Sequence, residues 1–176
     1  GVDCNVDDHI AVTSTGKFIG NADFFNHQRR EFEKRRASLQ QTGTEEAHWT
    51  FQRIGDQFGR WSEDYLHQCS KELVAEAQRH DCTHIAFEDL EQIRERISDG
   101  KKFQQWAFNE LQRQTEYKAE SVGIVVEKVE PQYTSQQCSK CGCTLEENRD
   151  GQYFECLDCS YSVNADYNAA KNIARK

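Results

Sequence analysis

Several features common in proteins are missing from this chain of 176 residues, and each absence removes a class of function. No apolar run approaches the roughly 20 residues that a membrane-spanning helix requires, so we expect no membrane partner. No signal-peptide pattern opens the sequence, which argues against a secreted, disulfide-bonded protein and favours a reducing cytoplasm for the eight cysteines. A phosphate-cradling glycine loop and a serine or cysteine nucleophile constellation are also missing.

Methionine is absent altogether, including at position 1. The sequence opens on GVDCNVDD, a pattern that resembles the interior of a β-strand. We therefore expect a fragment, or one domain cut from a longer protein. The length suits one ordinary domain with a small appendage.

The charge of the chain is unbalanced, with a formal net value of −8 at pH 7. Taken alone, this value argues against nucleic-acid binding, which usually depends on a basic surface. An acidic surface also suits a protein that works in very high salt, where self-repulsion is screened. A halophilic source is therefore our hypothesis, and it would reconcile an acidic enzyme with a polyanionic substrate.

Four cysteines near the end of the chain form two C-x-x-C pairs. Cys138 and Cys141 make the first pair, Cys156 and Cys159 make the second, and fourteen residues separate the pairs. Zinc favours four thiolates in a tetrahedron, and two short knuckles joined by a hairpin supply that geometry. The spacing therefore predicts a structural zinc ribbon over residues 133–162.

The other cysteines and the six histidines show no metal-ligand spacing. Cys4, Cys69 and Cys82 lie beside apolar neighbours and are expected to be small buried hydrophobes. Cys143 lies close to the ribbon and is a less favoured substitute ligand. We expect the histidines to be structural or exposed.

The hydrophobic pattern predicts an α/β fold that begins with antiparallel strands. The second of its helices carries an apolar stripe that starts at Trp49 and continues to Val74. In chain order, the predicted elements are strands within 1–22, helices over 23–42 and 45–80, a buried parallel strand at 83–90, a loop or weak helix at 91–102, a helix over 103–121, a strand at 123–129, the ribbon, and a closing helix capped by Asn164.

Three acidic residues occupy positions where the neighbouring residues are expected to be buried. Asp3 lies within the first strand, Glu88 near the end of the 83–90 strand, and Asp166 in the first turn of the closing helix. A buried, unpaired charge is costly, so such carboxylates call for a cation. Hard cations such as magnesium prefer oxygen ligands, and a two-metal site can cleave phosphodiesters. The alternative is that each residue is a solvated strand end or a helix cap.

Five blocks of this sequence together resemble the OrfB/TnpB proteins of bacterial and archaeal insertion sequences, a family related to the type V CRISPR effector nucleases. The blocks are GVDCNVDDHIAVTSTG, HIAFEDL, PQYTSQQCSKCG, the second C-x-x-C pair and NADYNAAKNIA. They follow the family's order and approximate spacing from Gly1 to Ala174.

The resemblance implies a RuvC-like nuclease domain of RNase H fold, with Asp3, Glu88 and Asp166 as the catalytic ligands of magnesium or manganese. It also implies that a zinc ribbon interrupts the domain. The expected organisation is a first part of the core at 1–132, the ribbon at 133–162 and a closing helix of the core at 163–176. The implied function is transposon-associated, metal-dependent cleavage of DNA by a two-metal mechanism, guided by RNA in full-length members.

This sequence departs from the family pattern in several places. Asn5 stands where the family usually has glycine, and a side chain there could crowd the backbone beside the metal. Ser160 replaces the glycine that usually follows the last cysteine. Nothing in the chain corresponds to the N-terminal regions that bind guide RNA and the target-adjacent DNA motif, so we do not expect this chain alone to perform guided recognition.

Two basic segments are further candidates for nucleic-acid contact. Arg29 and Arg30 belong to the segment 27–36, where interleaved glutamates also fit a solvated helix face with paired charges. Lys101 and Lys102 precede Phe103 and Trp106, which could stack on single-stranded nucleic acid but more often belong to a core.

Two other functions remain open from the sequence. The chain could be a non-catalytic nucleic-acid-binding remnant, or a transposase that performs strand transfer itself, because RNase H-like domains serve both chemistries. The sequence does not indicate an oligomeric state.

Overall fold

The computed structural model describes residues 1–89 and 99–176, with the backbone alone for 99–102. The strands are β1 (Val2–Cys4), β2 (Ala11–Thr13), β3 (Phe18–Ile19), β4 (His84–Glu88), β5 (Val125–Val129), β6 (Arg149–Asp150), β7 (Tyr153–Glu155) and β8 (Ser162–Asn164). The helices are α1 (Ala22–Thr42), α2 (Glu45–Arg79), α3 (Asp99–Glu120) and α4 (Ala165–Ile173). The mixed α/β class is confirmed. The loop or weak helix expected at 91–102 falls mostly outside the described residues, and α3 already begins at Asp99.

Five strands form the main sheet in the order β3-β2-β1-β4-β5. β1 is antiparallel to β2 and parallel to β4, and β4 is parallel to β5. The strand predicted at 83–90 is therefore a parallel strand with neighbours on both sides. Its side chains from Ile85 to Phe87 are buried.

Local sequence signals set the ends of the first two helices. The Asn21 side chain caps α1 by accepting a hydrogen bond of 2.7 Å from the Phe24 amide. Gly43 ends α1 in the left-handed conformation, with φ of 66°, which glycine adopts without steric cost. Thr44 then caps α2 by accepting a hydrogen bond from the Ala47 amide.

The main core lies between the sheet and α2 and α3. Leu66 and Leu73 of α2 and Leu111 of α3 are fully buried there. Phe25 of α1 stacks on Trp61 and Phe103, with ring centroids 5.5 Å apart in both pairs. This stacking confirms the interpretation of Phe103 as a core residue.

The apolar stripe predicted for α2 is wrong at its first member. Trp49 is 64% exposed. The physical reason is that α2 is 35 residues long, and its buried positions, apart from Ala47, start only at Ser62. The first half of α2 pairs with α1 beyond the edge of the core, so helical periodicity there does not produce burial.

A second, smaller sheet follows in the order β6-β7-β8. Its hydrophobic centre consists of Phe154, Cys138, Cys156 and Ala165. Asn164 ends β8 and caps α4, as predicted, by accepting a hydrogen bond of 3.0 Å from the Tyr167 amide. α4 then packs against β1, β2 and β4 of the main sheet.

No helix among the described residues is both long enough and apolar enough to cross a lipid bilayer.

Two substitutions test this description of the core, one at a buried position on β4 and one at the exposed start of α2. We predict that Phe87→Ala, which empties a fully buried position on β4, lowers the free energy of unfolding by about 3–5 kcal/mol. Trp49→Ala removes a larger but exposed side chain, and we expect it to change that free energy by less than about 0.5 kcal/mol. Urea unfolding followed by circular dichroism measures both. Equal decreases in the free energy of unfolding of the two variants would contradict the finding that the Trp49 side chain is exposed to solvent.

Candidate metal centres

Sheet register places the first two acidic residues side by side. Val2 of β1 pairs with Phe87 of β4 in a parallel ladder. The next residues along the two strands are Asp3 and Glu88, and residues paired across adjacent strands project to the same face of a sheet. Asp3 is buried and Glu88 is half-buried.

The third acidic residue reaches this region from α4. Asp166 lies in the first turn of that helix and is only 3% exposed. α4 packs on β1, and the charges of both Asp166 and Glu88 act on Asp3. The structure therefore brings the three predicted residues into one electrostatically coupled group.

Each of the three carboxylates accepts a hydrogen bond from a donor side chain. Asn5 Nδ2 donates to Asp3 Oδ2 over 3.1 Å. The Thr134 hydroxyl donates to Glu88 Oε1. Arg149 donates to Asp166 Oδ1 over 2.9 Å and forms an ion pair with it.

The sequence analysis did not find Thr134 and Arg149 as partners. Thr134 is buried and lies four residues before the first ribbon cysteine, and Arg149 lies on β6. Both carboxylate contacts depend on how the segment 133–162 folds back on the main sheet. The signal available in sequence was weak, because a single arginine among acidic residues is common on protein surfaces.

Burial raises the pKa of all three carboxyl groups, and repulsion from the other two adds to the rise at Asp3. Burial, and then the charges of Glu88 and Asp166, raise the pKa of Asp3 from 3.8 to about 8. Burial also raises the pKa of Glu88, and the Thr134 hydrogen bond opposes it. Burial raises the pKa of Asp166, and the Arg149 guanidinium opposes that rise.

The four ribbon cysteines converge more tightly than the carboxylates do. Within the part of the chain that the structure describes, they are the only group of three or more potential ligand side chains whose donor atoms all lie within 4.8 Å of one another. The Sγ atoms of Cys138 and Cys159 are 3.8 Å apart, and those of Cys141 and Cys156 are 3.5 Å apart. Zinc–sulfur bonds of about 2.3 Å in a tetrahedron separate the sulfurs by about 3.8 Å, so these distances fit a zinc ion. They are far longer than a disulfide bond of about 2.05 Å.

The backbone around Cys156 favours the thiolate form of that residue. Burial acts to raise the pKa of Cys156, but the amide groups of Cys159 and Asp158 and the neighbouring thiols outweigh it and lower the pKa to about 7. Cys143 lies outside the quartet, and its carbonyl oxygen accepts a hydrogen bond of 2.8 Å from the Cys138 amide. Ser160, which stands where the family usually has glycine, has a φ of 52°. This left-handed conformation explains why glycine suits the position.

Two asparagines on α4 tie the ribbon to the helix that carries Asp166. Asn168 Oδ1 accepts a hydrogen bond of 2.9 Å from the Ser139 amide, and its Nδ2 donates to the Gln137 carbonyl over 2.8 Å. One turn later, Asn172 Nδ2 donates to the Thr134 carbonyl over 2.8 Å. Their i,i+4 spacing was visible in the sequence, but the partner carbonyls come from a distant segment.

The basic candidates for nucleic-acid contact differ in their surroundings. Arg29 pairs with Glu33 at 3.1 Å and lies over the Phe103 ring, so its charge is largely engaged within the chain. The pairing matches the paired charges of the alternative interpretation, but the Arg29 side chain is only 15% exposed and so does not lie on a solvated face. Arg30 is exposed on α1. The side chains of Lys101 and Lys102 lie outside the described residues, so their predicted role stays a prediction.

Comparison with known proteins identifies the family. The family profile described as "Cas12f1-like, TNB domain" matches residues 108–173. The CRISPR-associated endodeoxyribonuclease Cas12f1 of Sulfoacidibacillus thermotolerans is 43% identical over 125 residues, which cover 70% of this chain and 29% of the relative. The TnpB-like protein MJ0751 of Methanocaldococcus jannaschii is 38% identical over 119 residues, which cover 65% of this chain and 42% of the relative.

The fold is shared with a solved member of the same group. The cryo-EM structure of a Cas12f1-sgRNA-target DNA complex superposes on 98% of this chain and 48% of that chain, with a TM-score of 0.74 and 23% identity. The chain belongs to the OrfB/TnpB family, which is related to the type V CRISPR effectors. It spans less than half the length of each of these proteins.

The raised pKa of Asp3 makes stability depend on pH. Between 3.8 and about 8 the folded chain binds a proton at Asp3 that the unfolded chain has lost, so stability falls as pH rises through this window. We predict that, in magnesium-free buffer with zinc retained, the free energy of unfolding of the wild type decreases from about pH 5 to about pH 8. Asp3→Asn removes the titrating group and should flatten this decrease. Urea unfolding at several pH values measures the free energy of unfolding of both proteins. The same dependence of this free energy on pH in the wild type and in Asp3→Asn would contradict the prediction.

Proposed function

We propose that the chain is the nuclease core of a transposon-associated DNA endonuclease, with an RNase H-like (RuvC-like) domain that hydrolyses phosphodiesters by a two-metal mechanism. The observation that carries the proposal is the grouping of Asp3, Glu88 and Asp166 at adjacent positions of β1, β4 and α4. The sheet order β3-β2-β1-β4-β5, in which β2 alone runs antiparallel to the other four strands, supports the RNase H-like assignment. The names of the relatives, which describe endodeoxyribonucleases, support the reaction class.

The donor set fits a hard divalent cation. Asp3, Glu88 and Asp166 would hold magnesium or manganese, since these ions prefer carboxylate oxygens. Once bound, such ions activate a water molecule and stabilise the leaving oxygen of the phosphodiester. Burial and the neighbouring carboxylates raise the pKa of Asp3 to about 8, and the guanidinium of Arg149 contacts Asp166.

Arg149 supplies a positive side chain to this acidic group through its ion pair with Asp166. Its side chain is 31% exposed, so it is accessible from the solvent side while its tip contacts Asp166. With a cation bound, the carboxylates no longer require the guanidinium for charge balance. Arg149 would then be available to a phosphate oxygen, which arginine binds well.

We assign the segment 133–162 as a zinc ribbon inserted between the first part of the core, 1–132, and the closing helix, 163–176. Support comes from the sulfur distances and from the three-stranded sheet around Phe154. Cys138, Cys141, Cys156 and Cys159 would hold the zinc. The ribbon also presents Thr134 and Arg149 to the carboxylates, so its folding state would determine how the magnesium site is held.

DNA is the proposed substrate, and guide RNA is the proposed partner of the whole protein. The support is the description of the similar structure as a complex with sgRNA and target DNA. The grouping of Asp3, Glu88 and Asp166 supports assigning the cleavage step to this part of the protein.

The nuclease proposal predicts a loss of activity at each carboxylate. We expect the purified chain, at high salt with magnesium or manganese, to cleave labelled single-stranded DNA. Asp3→Ala, Glu88→Ala and Asp166→Ala should each lower the rate by about 10²-fold or more, because each removes a metal ligand. Asp56→Ala is a matched control, since Asp56 is exposed on α2.

The same experiment separates the proposed function from the alternatives. Cleavage that survives in all three variants would contradict the site. If wild-type chain neither cleaves DNA nor binds manganese, the non-catalytic remnant is the correct interpretation. Joining of a 3′-hydroxyl end to a second DNA would instead identify a strand-transferring transposase.

The zinc assignment predicts a selective effect of losing one thiolate. Cys156→Ser should abolish binding of one equivalent of zinc and unfold residues 133–162, while most of the helical signal of α1, α2 and α3 remains. Cys143→Ser is the matched control and should retain the zinc, because Cys143 lies outside the quartet. Atomic absorption measures the metal, and hydrogen exchange locates the unfolding. Full zinc content in Cys156→Ser would refute the assignment.

A further inference from the structure

We propose that Asn5 is a positioning residue that fixes the orientation of the Asp3 carboxylate for the metal ion. The inference rests on the proposed metal site and adds a residue to it. The starting observation is that Asn5 Nδ2 lies 3.1 Å from Asp3 Oδ2. Among hydrogen bonds between described residues, this is the one that reaches the Asp3 carboxylate.

The chemistry of the pair determines which end of the amide faces Asp3. With a cation bound, the Asp3 carboxylate is ionised and only accepts hydrogen bonds, so Asn5 Nδ2, the end of the amide that faces it in the structure, is the end that can hold it. A neutral donor holds one oxygen without adding charge. The other carboxylate oxygen, Oδ1, remains available to a cation.

The position of Asn5 is fixed by the loop to which it belongs. The β1–β2 loop, residues 5–10, is closed by a hydrogen bond of 3.1 Å from the Asn5 amide to the Ile10 carbonyl. α1 holds the same loop from outside, because Asn26 Nδ2 donates to the Val6 carbonyl over 2.5 Å and the Ala22 amide donates to the Asp8 carbonyl over 2.9 Å. The Asn5 side chain is therefore attached to a loop with two anchors on a helix.

The surroundings of Asn5 make its hydrogen bond stronger than an exposed one. Asn5 is half-buried and lines a small apolar cavity whose walls include Ile10, Phe25 and Phe103. Asp3 is only 8% exposed. Limited access of water reduces competition for the bond, since hydrogen bonds are electrostatically stronger in a low local dielectric.

The pattern across the three carboxylates supports a positioning role. Glu88 and Asp166 each have one oxygen held by a donor that comes from the 133–162 segment. Asp3 lies farther from that segment along the chain and obtains its donor from its own loop. Asn5 thus does for Asp3 what the neutral donor Thr134 does for Glu88, and the crowding expected for a side chain at position 5 is replaced by a contact.

The test measures binding of manganese to the zinc-loaded chain by electron paramagnetic resonance, well below the unfolding temperature. Asn5→Ala and Asn5→Gly both remove the donor, and each should weaken manganese affinity by about tenfold, as loss of outer-shell partners usually does. Asn109→Ala is the matched control, because Asn109 accepts its hydrogen bond from Gln105 of the same helix. Its affinity should equal that of the wild type.

The outcomes separate this inference from the proposed function. If Asp3→Ala abolishes manganese binding while both Asn5 variants bind like the wild type, Asn5 does not position Asp3 and the metal site stands. If Asp3→Ala binds manganese like the wild type, the proposed metal site itself is wrong. A purely structural role of Asn5 would lower the melting temperature of its variants and leave their manganese affinity unchanged, which would also overturn the inference.

Discussion

The structure depends on one constraint, which is the burial of Asp3 and Asp166 beside the half-buried Glu88, where α4 packs on the central strands of the main sheet. Burial disfavours the charged form of each group, and repulsion among them adds to this cost. The raised pKa of Asp3 favours its neutral form, and a hydrogen-bond donor to each of the three side chains reduces the cost further. Such an arrangement opposes stability unless a cation is bound, so its presence in the centre of the fold points to function rather than to folding. The helices around the main sheet are well packed. Their buried leucines and stacked aromatic rings stabilise the sheet independently of the acidic group.

The two candidate metal centres are physically linked. The ribbon supplies Thr134 to Glu88 and Arg149 to Asp166, while α4 returns two asparagine side chains to the ribbon's first knuckle. The same helix carries Asp166 in its first turn. A change in the structure of residues 133–162 therefore alters the surroundings of the acidic group in two ways. It acts directly through the hydrogen bonds of Thr134 and Arg149, and indirectly through the nine-residue helix α4. The fold of residues 133–162 therefore helps to determine how Glu88 and Asp166 are held.

Much of this arrangement could be predicted from sequence because the signals were local. The cysteine spacing defined the quartet, Gly43 and Asn164 marked helix boundaries, and the alternation of elements gave the α/β class. Arg149 was missed because its partner lies seventeen residues away along the chain and meets it only after the ribbon folds. Asn5 was read as an obstacle because sequence shows the bulk of a side chain but not the direction of its amide. Trp49 was placed in the core because periodicity describes the face of a helix and not how far the core extends along it.

The proposed function requires Asp3, Glu88 and Asp166 to hold divalent cations together. The most direct test is a crystal of the zinc-loaded chain soaked in manganese, with anomalous scattering measured at the manganese edge. We predict anomalous density in contact with oxygens of all three carboxylates, in addition to zinc at the four cysteines. Manganese bound only elsewhere, with the three carboxylates unchanged from the metal-free arrangement, would contradict it.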